Sequence, residues 1–242
     1  MTKKRPRGPD VRRLRQLLAG ARPHHTVPAR MEVLSATLVG CPYVAHGLVG
    51  SAAIPEHFTA SLEGFDCVTY VETVLALARA SDAAGFAEEL RRIRYEGGEV
   101  EWARRNHYMT DWVRRNARAG LVRPVSGGAL ATRKEKVLNA LPGLPPRKAR
   151  FSCVPKGKLG AFEPRLKNGD IVLFASTKTG IDVFHCGLLV QKDGGWKLRH
   201  ASQSAGRVVE TDLAGFLKAN RTSGLVVVRP LDVAGAASKG AS

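Results

Sequence analysis

The chain has 242 residues, 44% of them hydrophobic and 24% charged, a composition typical of globular proteins that excludes wholesale disorder and fibrous architectures. No apolar run approaches the roughly 18–20 residues needed to cross a bilayer, and four cysteines are too few for a disulfide scaffold. The 38 Lys and Arg residues against 21 Asp and Glu give a net charge of +17, which leaves nucleic acid, an anionic membrane or an acidic polymer open as partners.

The basic residues are concentrated in two stretches. Residues 1–30 contain nine Lys and Arg against one Asp, and residues 133–167 contain ten against two Glu. Because a basic tail is more often a solvated arm than a specific reader of a partner, residues 1–30 are predicted to form an arm with one short helix near 11–18. No helix-turn-helix, zinc-finger or aromatic stacking pattern accompanies the charge, so no specific nucleic-acid partner is expected.

Helical patterns dominate the chain up to residue 120. Helices are predicted at 32–38, 67–80, 83–94 and 110–119. The helix at 67–80 is apolar over most of its circumference, which indicates a buried helix, and Asp66 stands at its N-cap position. Pro, Gly and basic residues then predict a long irregular connection over 121–168.

After Gly169 the pattern changes to short strands rich in β-branched residues. Strands are predicted at 171–175, 184–191, 196–202, 207–211 and 225–230. Helices first and strands last predict an α+β domain with an antiparallel sheet. The last residues, 232–242, are rich in Ala, Gly and Ser and are predicted to form a flexible tail.

Cys67 is the first candidate for chemistry. It is predicted at the first turn of the buried helix, directly after the capping Asp66. Unpaired backbone N–H groups and the helix dipole stabilise a thiolate at this position and lower the pKa of the thiol. The alternative is a small core residue, which is the usual role of a free cysteine; Cys41, Cys153 and Cys186 are interpreted in that way.

Two histidines strengthen the interpretation of Cys67 as a nucleophile. The run FHCGLLVQKDGGWKLRHAS predicts a β-hairpin with its tight turn at 192–195. With a two-residue loop, His185 and His200 lie on the same sheet face, and Gly187 leaves room for two imidazoles. An odd-length loop would reverse this parity.

A cysteine with two histidines on one sheet face suggests Cys–His–His catalysis. His185 would be the general base, His200 would orient it, and N–H groups at the helix start would bind the oxyanion. Core histidines with satisfied hydrogen bonds, or a metal site, remain the alternatives. The gaps of 118 and 15 residues match no compact ligand spacing, so neither a metal nor another cofactor is expected.

Five short motifs are spread over the chain: GCPYVAHG at 40–47, FDCVTYVE at 65–72, GD at 169–170, FHCGLLV at 184–190 and HAS at 200–202. Together they resemble the NlpC superfamily of papain-like bacterial cell-wall cysteine hydrolases. Longer stretches resemble its N-acetylmuramoyl-L-alanine amidase-like branch: FDCVTYVETVLALA, IRYEGG, RNHYMTDW, GIDVFHCGLLV and GLVVVRPL. The resemblance spans residues 31–231, which are predicted to form a papain-like amidase domain.

The resemblance implies roles for residues on the substrate side. Tyr43 would line the cleft near the nucleophile. His107, Tyr108, Asp111 and Trp112 would shape the pocket for the sugar or the stem peptide; a helix-start motif that locks its helix onto the core is the other interpretation of these four. The resemblance also implies that Cys67, His185 and His200, by their positions in the motifs, have the triad roles given above.

The function implied by the resemblance is hydrolysis of the amide between N-acetylmuramic acid and L-alanine in peptidoglycan fragments. A stem-peptide endopeptidase of the same fold and a non-catalytic basic binding protein remain as alternatives. Residues 17–21 form an apolar stretch too short for an export signal, so the sequence predicts a cytoplasmic protein. The resembled family instead suggests the periplasm or cell envelope.

Overall fold

The computed structural model describes residues 10–233 of the chain. Helices occupy most of the N-terminal half, as the apolar spacing predicts. They are α1 (Val11–Ala21), α2 (Val27–Thr37), α3 (Cys67–Arg79), α4 (Ala83–Arg94) and α5 (Met109–Arg118). Among the described residues, no helix combines the length and the apolar character that a membrane crossing would require.

One six-stranded antiparallel sheet organises the C-terminal half, in the strand order β3–β10–β6–β7–β8–β9. The strands are β3 (Val122–Pro124), β6 (Ile171–Ala175), β7 (Val183–Lys192), β8 (Gly195–Ser202), β9 (Arg207–Asp212) and β10 (Gly224–Pro230). The α+β class and the antiparallel pairing predicted from the sequence are confirmed.

Helix α3 lies at the centre of the fold. Every side chain from Tyr70 to Ala78 is buried, in agreement with the prediction of a buried helix. It packs between α2 and α4 on one side and against β7 and β8 on the other. The helix ends at Arg79, because the extended backbone of Ala80 leaves the helical region.

The sheet separates two apolar clusters. Cys186 and Leu188 of β7 face the helices and belong to the larger cluster, whereas Leu189 belongs to the smaller one. Two short helices cover this second face, α6 (Leu159–Phe162) and α7 (Leu213–Ala219). Because side chains alternate along a strand, β7 contributes to both clusters at once.

The segment predicted as a basic arm, residues 1–30, needs a correction from residue 11 onward. Its positive charge lies on one side of α1, while Leu14, Leu17 and Leu18 on the other side are buried in the main core. Helix α2 also begins within this segment, at Val27, because Thr26 caps it and a proline fits its first turn. Residues 1–9 and the predicted tail from 234 onward lie outside the described residues.

The connection predicted to be irregular contains a hairpin. Strands β4 (Thr132–Leu138) and β5 (Arg147–Cys153) pair over seven residues. Most of their side chains are exposed or half-buried, so hydrophobic alternation gave no signal for them. A second small hairpin, β1 (Val49–Ser51) with β2 (Ile54–His57), lies before α3.

Candidate active site

The N-terminus of α3 holds Cys67 in a fixed position. The Asp66 carboxylate accepts a hydrogen bond from Thr69 N at 2.8 Å, and the Thr69 hydroxyl accepts one from Asp66 N at 2.9 Å. This reciprocal capping box orders the first turn. The Cys67 side chain therefore lies where the positive end of the helix dipole stabilises a negative charge.

The pKa of the Cys67 thiol is lowered to about 5. The largest cause is a hydrogen bond with the Cys186 thiol, and a hydrogen bond and positive charge from the His185 imidazole act in the same direction. Burial and the nearby Asp66 oppose this shift. A thiol of this acidity is largely thiolate at neutral pH, the form that acts as a nucleophile.

Cys186 lies against the candidate nucleophile. Its sulfur is buried and lies 3.2 Å from the carbonyl oxygen of Cys67. Hydrogen bonding with Cys67 and burial raise the pKa of the Cys186 thiol, so it keeps its proton and can donate. Cys186 is buried in the main core, as a packing residue would be, but the sequence interpretation did not foresee its contact with Cys67.

The β7–β8 hairpin brings the two histidines together. Its loop is Asp193–Gly194, both with positive φ, and Lys192 pairs with Gly195. This is the two-residue loop that places His185 and His200 on one face. A Cβ atom on Gly187 would lie 2.7 Å from the Arg199 carbonyl oxygen and 3.0 Å from His200 Cβ, so this position requires glycine.

A chain of polar contacts extends behind His185. Its Nε2 lies 2.7 Å from His200 Nδ1, and His200 Nε2 lies 3.2 Å from the hydroxyl of Thr211. His200 is only 4% exposed. Burial and the neighbouring His185 lower the pKa of His200 to about 4, so His200 is neutral at neutral pH.

Aromatic side chains surround the histidine pair. The Phe216 ring of α7 stacks on the His185 ring with centroids 5.5 Å apart and meets the His200 ring edge-on at 5.3 Å. Phe174 of β6 packs against Phe216 at 4.6 Å. The sequence analysis identified neither Phe216 nor Thr211, although the pairing of β9 with β8 places Thr211 diagonal to His200.

A narrow cleft joins the candidate nucleophile to the candidate base. Its cavity of about 150 Å³ is lined by Cys67, His185, His107, Tyr108 and Asp182, among others. The predicted residues Cys67, His185 and His107 are thus brought together, although they are far apart in sequence. His200 lies behind His185 rather than at the cleft surface.

Tyr43 lies in the segment 40–47, next to the start of α3 but outside the set of residues that line the cleft. Its backbone bridges Phe65, just before the α3 cap. Burial first, and then the charges of Cys67 and Asp66, raise the pKa of the Tyr43 hydroxyl. The role of Tyr43 on the substrate side, which the resemblance implies, stays a prediction.

The predicted pocket segment divides into residues at the cleft and residues elsewhere. His107 donates from Nε2 to the Trp102 carbonyl oxygen at 2.7 Å, and burial lowers its pKa. The hydroxyl of Tyr108 accepts from Ala140 N at 3.1 Å. Both side chains keep the cleft wall in place.

Asp111 and Trp112 lie outside the cleft. Asp111 forms ion pairs with Arg114 and Arg147 beside a neighbouring groove. Trp112 is fully buried in the main core. This burial agrees with the other interpretation of the segment, a helix-start motif that locks its helix onto the core, and not with a contact between Trp112 and substrate.

Asp182 is a positioning residue that the sequence analysis did not single out. Its carboxylate accepts from the backbone N of Thr110 at 2.6 Å and from the Thr110 hydroxyl at 2.7 Å. It also accepts from Val183 N at 2.8 Å. Asp182 thereby joins the start of α5 to the start of β7, and its place in the quoted motif GIDVFHCGLLV was the available signal.

No group of three or more His, Cys, Asp or Glu side chains within residues 10–233 is arranged to hold a metal ion. The acidic thiol of Cys67, the imidazole of His185 and the neutral imidazole of His200 instead lie next to one another in that order. Such an arrangement can perform nucleophilic attack on a carbonyl carbon followed by proton transfer to a leaving group.

Comparison with known proteins gives a matching family. The sequence model of a family described as AmiA-like, N-acetylmuramoyl-L-alanine amidase-like, matches residues 33–225. No curated protein matches the chain.

Solved structures with the same fold also exist. An N-acetylmuramoyl-L-alanine amidase from Bacteroides uniformis superposes with a TM-score of 0.77 at 27% identity, over 85% of this chain and 99% of that one. A Bacteroides fragilis protein described as a candidate xylanase gives 0.70 at 28% identity, over 81% and 98%. A Legionella pneumophila protein gives 0.78 at 20% identity, over 91% and 94%, and shares the fold.

Proposed function

The chain belongs to the N-acetylmuramoyl-L-alanine amidase-like family, and from this we propose that it is a cysteine amidase with the papain-like fold of the NlpC superfamily. Its substrate is the amide between N-acetylmuramic acid and L-alanine in peptidoglycan fragments. The observation that carries the proposal is the acidic thiol of Cys67 in one cleft with His185, which is backed by His200.

The reaction begins with attack of the Cys67 thiolate on the lactyl carbonyl carbon. A carbon–sulfur bond forms, and the carbonyl electron pair moves onto oxygen. When the tetrahedral intermediate collapses, the carbon–nitrogen bond breaks and protonated His185 gives its proton to the leaving alanine nitrogen. The peptide leaves with a free amino group, and the muramoyl group stays on sulfur as a thioester.

Hydrolysis of the thioester completes the cycle. His185, now neutral, takes a proton from water as the oxygen attacks the acyl carbon. The carbon–sulfur bond breaks, the muramic carboxylic acid leaves, and the thiolate is restored beside protonated His185. His200 holds the ring of His185 in orientation throughout, as the third member of a triad does.

Two groups can stabilise the oxyanion of the intermediate. The helix's own hydrogen bonds begin from Tyr70 N to the Asp66 oxygen at 3.0 Å, so the N–H of Cys67 is not used within α3. It belongs to the same residue as the attacking sulfur and is the first proposed donor to the oxyanion. The Tyr43 hydroxyl, whose raised pKa keeps it protonated, is the second donor on this side.

A groove beside the cleft suits the peptide part of the substrate. Its volume is about 580 Å³, and it shares Met109 and Val183 with the cleft. Its floor is apolar, and its rim carries Arg114, Arg147, Lys148 and Arg150. The basic stretch 133–167 contributes the last three of these, so part of the unusual charge faces a place where stem-peptide carboxylates would lie.

The test is digestion of defined muropeptides by the full chain and by Cys67→Ala. We expect Cys67→Ala to lose all turnover with an unchanged fold, because it removes the thiol that attacks the carbonyl carbon, and Cys186, the other cysteine that lines the cleft, is fully buried. Cys153→Ala, which removes a buried thiol away from the cleft, serves as the matched control and should keep its activity. Retained turnover in Cys67→Ala would end the proposal.

Mass spectrometry of the products separates the two cleavage points. The amidase releases sugar without peptide together with an intact stem peptide. An endopeptidase of the same fold would leave L-alanine on the sugar. Only the first outcome supports the substrate bond proposed here.

A further inference from the structure

Thr211 lies behind the histidine pair, at the end of the chain of polar contacts that begins at His185. It pairs with Leu198 across β8 and β9, two pairs along from His200 with Val209 and therefore on the same sheet face. Its hydroxyl lies 3.5 Å from the Leu198 carbonyl oxygen and 3.2 Å from His200 Nε2. The first contact is long and the second is of ordinary length, so the hydroxyl sits between an acceptor and a ring nitrogen.

We propose that Thr211 sets the direction of the hydrogen bonds through His200 and His185, so that the nitrogen of His185 facing Cys67 is left as the proton acceptor. This role as a positioning residue rests on the proposed function, in which His185 is the base.

The direction follows from counting protons. A carbonyl oxygen only accepts, and a hydroxyl has one proton to give. When Thr211 donates to the Leu198 oxygen, it must accept from His200, so the proton of His200 resides on Nε2. A neutral imidazole carries one ring proton, and His200 Nδ1 is then a bare acceptor for His185 Nε2–H, 2.7 Å away.

The same direction suits both states of His185. When His185 is neutral, its Nε2 carries the proton and its Nδ1 is bare, ready to take the proton of Cys67 or of water. When His185 is charged, its Nε2–H still donates to His200, which stabilises the imidazolium. The opposite direction would place an N–H of His200 against an N–H of imidazolium, which is repulsive.

Burial of the histidine pair makes the direction of these hydrogen bonds energetically important. Reversal of a hydrogen bond is expensive where water cannot replace the lost partner, and Phe216 covers both rings. Thr211 is itself only half-buried, but its hydroxyl is the polar side chain that contacts the far nitrogen of His200. Loss of this hydroxyl leaves the two tautomers of His200 closer in free energy.

The first test reads the tautomer directly, in the full chain labelled with ¹⁵N-histidine. The signals of His200 are assigned by their loss in His200→Asn. We expect a protonated Nε2 and a bare Nδ1 in the parent chain and in Thr211→Ser, which keeps the hydroxyl. Thr211→Val keeps the shape but removes the hydroxyl, and we expect part of the proton population to move to Nδ1.

The second test measures hydrolysis of muropeptides by the same variants. We expect kcat to fall about tenfold in Thr211→Val with KM unchanged, and to recover in Thr211→Ser, since one directed hydrogen bond is lost and restored. Thr37→Val, an exposed position on α2 whose hydroxyl bonds the Val33 carbonyl oxygen, should behave as the parent.

The outcomes distinguish this proposal from the proposed function. The ¹⁵N spectra need no substrate, so they report on Thr211 even if Cys67→Ala were to retain turnover. A protonated Nδ1 of His200 in the parent chain overturns the proposal, and this result does not depend on whether Thr211→Val folds. An unchanged tautomer in folded Thr211→Val, or a changed tautomer with full kcat, overturns it as well.

Discussion

A single buried thiol, Cys186, has the largest influence on the acidity of Cys67. The hydrogen bond between these two residues is the largest of the causes that lower the pKa of Cys67 to about 5. The Cys186 sulfur lies 3.2 Å from the carbonyl oxygen of Cys67. The strand residue packed against the proposed nucleophile is therefore itself a thiol donor.

We expect Cys186→Val to raise the pKa of Cys67. Because a lowered thiol pKa keeps the thiolate present above that pKa and loses it as the pH falls through it, the loss of reactivity should move from near pH 5 to a higher pH. The measurement is the rate of alkylation of Cys67 by iodoacetamide against pH, with Cys153→Ala as control. An unmoved midpoint would show that Cys186 has no such influence.

The same experiment addresses the non-catalytic alternative. In the parent chain, Cys67 should react selectively at neutral pH, whereas a thiol that is merely packed in a core should not. Equal and slow labelling of Cys67, Cys153 and Cys41 would favour a binding protein over an enzyme.

At the scale of residues, the sequence could predict those positions that local geometry determines. The Asp193–Gly194 turn sets the parity of the hairpin, which was sufficient to place His185 and His200 on one face. The contact between Cys186 and Cys67 joins a strand and a helix more than a hundred positions apart. No local pattern contains that information.

At the scale of elements, the short helix α7 covers the histidine pair. It has seven residues, and Leu213 and Leu217 are its buried anchors. Phe216, on the same helix, lies over both imidazole rings. The helix thus excludes water from the hydrogen bond between His185 and His200.

We expect Phe216→Ala to raise the pKa of His200 from about 4 toward the ordinary value. Burial is the main cause of the low value, and removal of the ring admits water, which stabilises the charged form. An NMR titration of the His200 ring protons measures the change. Phe184→Ala, which truncates another half-buried phenylalanine near His185, should have a smaller effect; equal effects would contradict the role of Phe216.

Elements were predictable where apolar spacing was strong. Helix α4 has the predicted bounds, and α3 and α5 differ from them by one residue. The β4–β5 hairpin was missed because it packs little apolar surface. Helix α7 was missed because a helix of seven residues with two buried leucines is too short to show a repeating apolar pattern. Such elements are held by neighbours rather than by their own pattern.

At the scale of the whole molecule, the N-terminal segment is part of the core from α1 onward. The nine Lys and Arg residues in 1–30 suggested a solvated arm, because a sequence shows the charge of a segment but not its packing partner. Leu14, only 1% exposed, belongs to the same apolar cluster as α3. The charged and apolar faces of α1 coexist because they are opposite sides of one helix.

We expect Leu14→Ala to lower the free energy of unfolding by about 2–5 kcal/mol, through lost burial and the cavity that remains. Arg15→Ala, its exposed neighbour on α1, should change it by less than about 0.5 kcal/mol. Urea denaturation of both variants measures the difference. Equal stability of the two variants would mean that α1 does not contribute to the core.

Strand β7 supplies one support to each side of the proposed chemistry. Cys186 on one face of the strand contacts Cys67, and His185 on the other face forms a hydrogen bond with His200. A slip of this strand by one position would exchange the two faces and remove both supports together. Molecules in which β7 pairs in the wrong register should therefore have no enzymatic turnover, even if they remain compact. Activity would then be a sensitive measure of correct strand register.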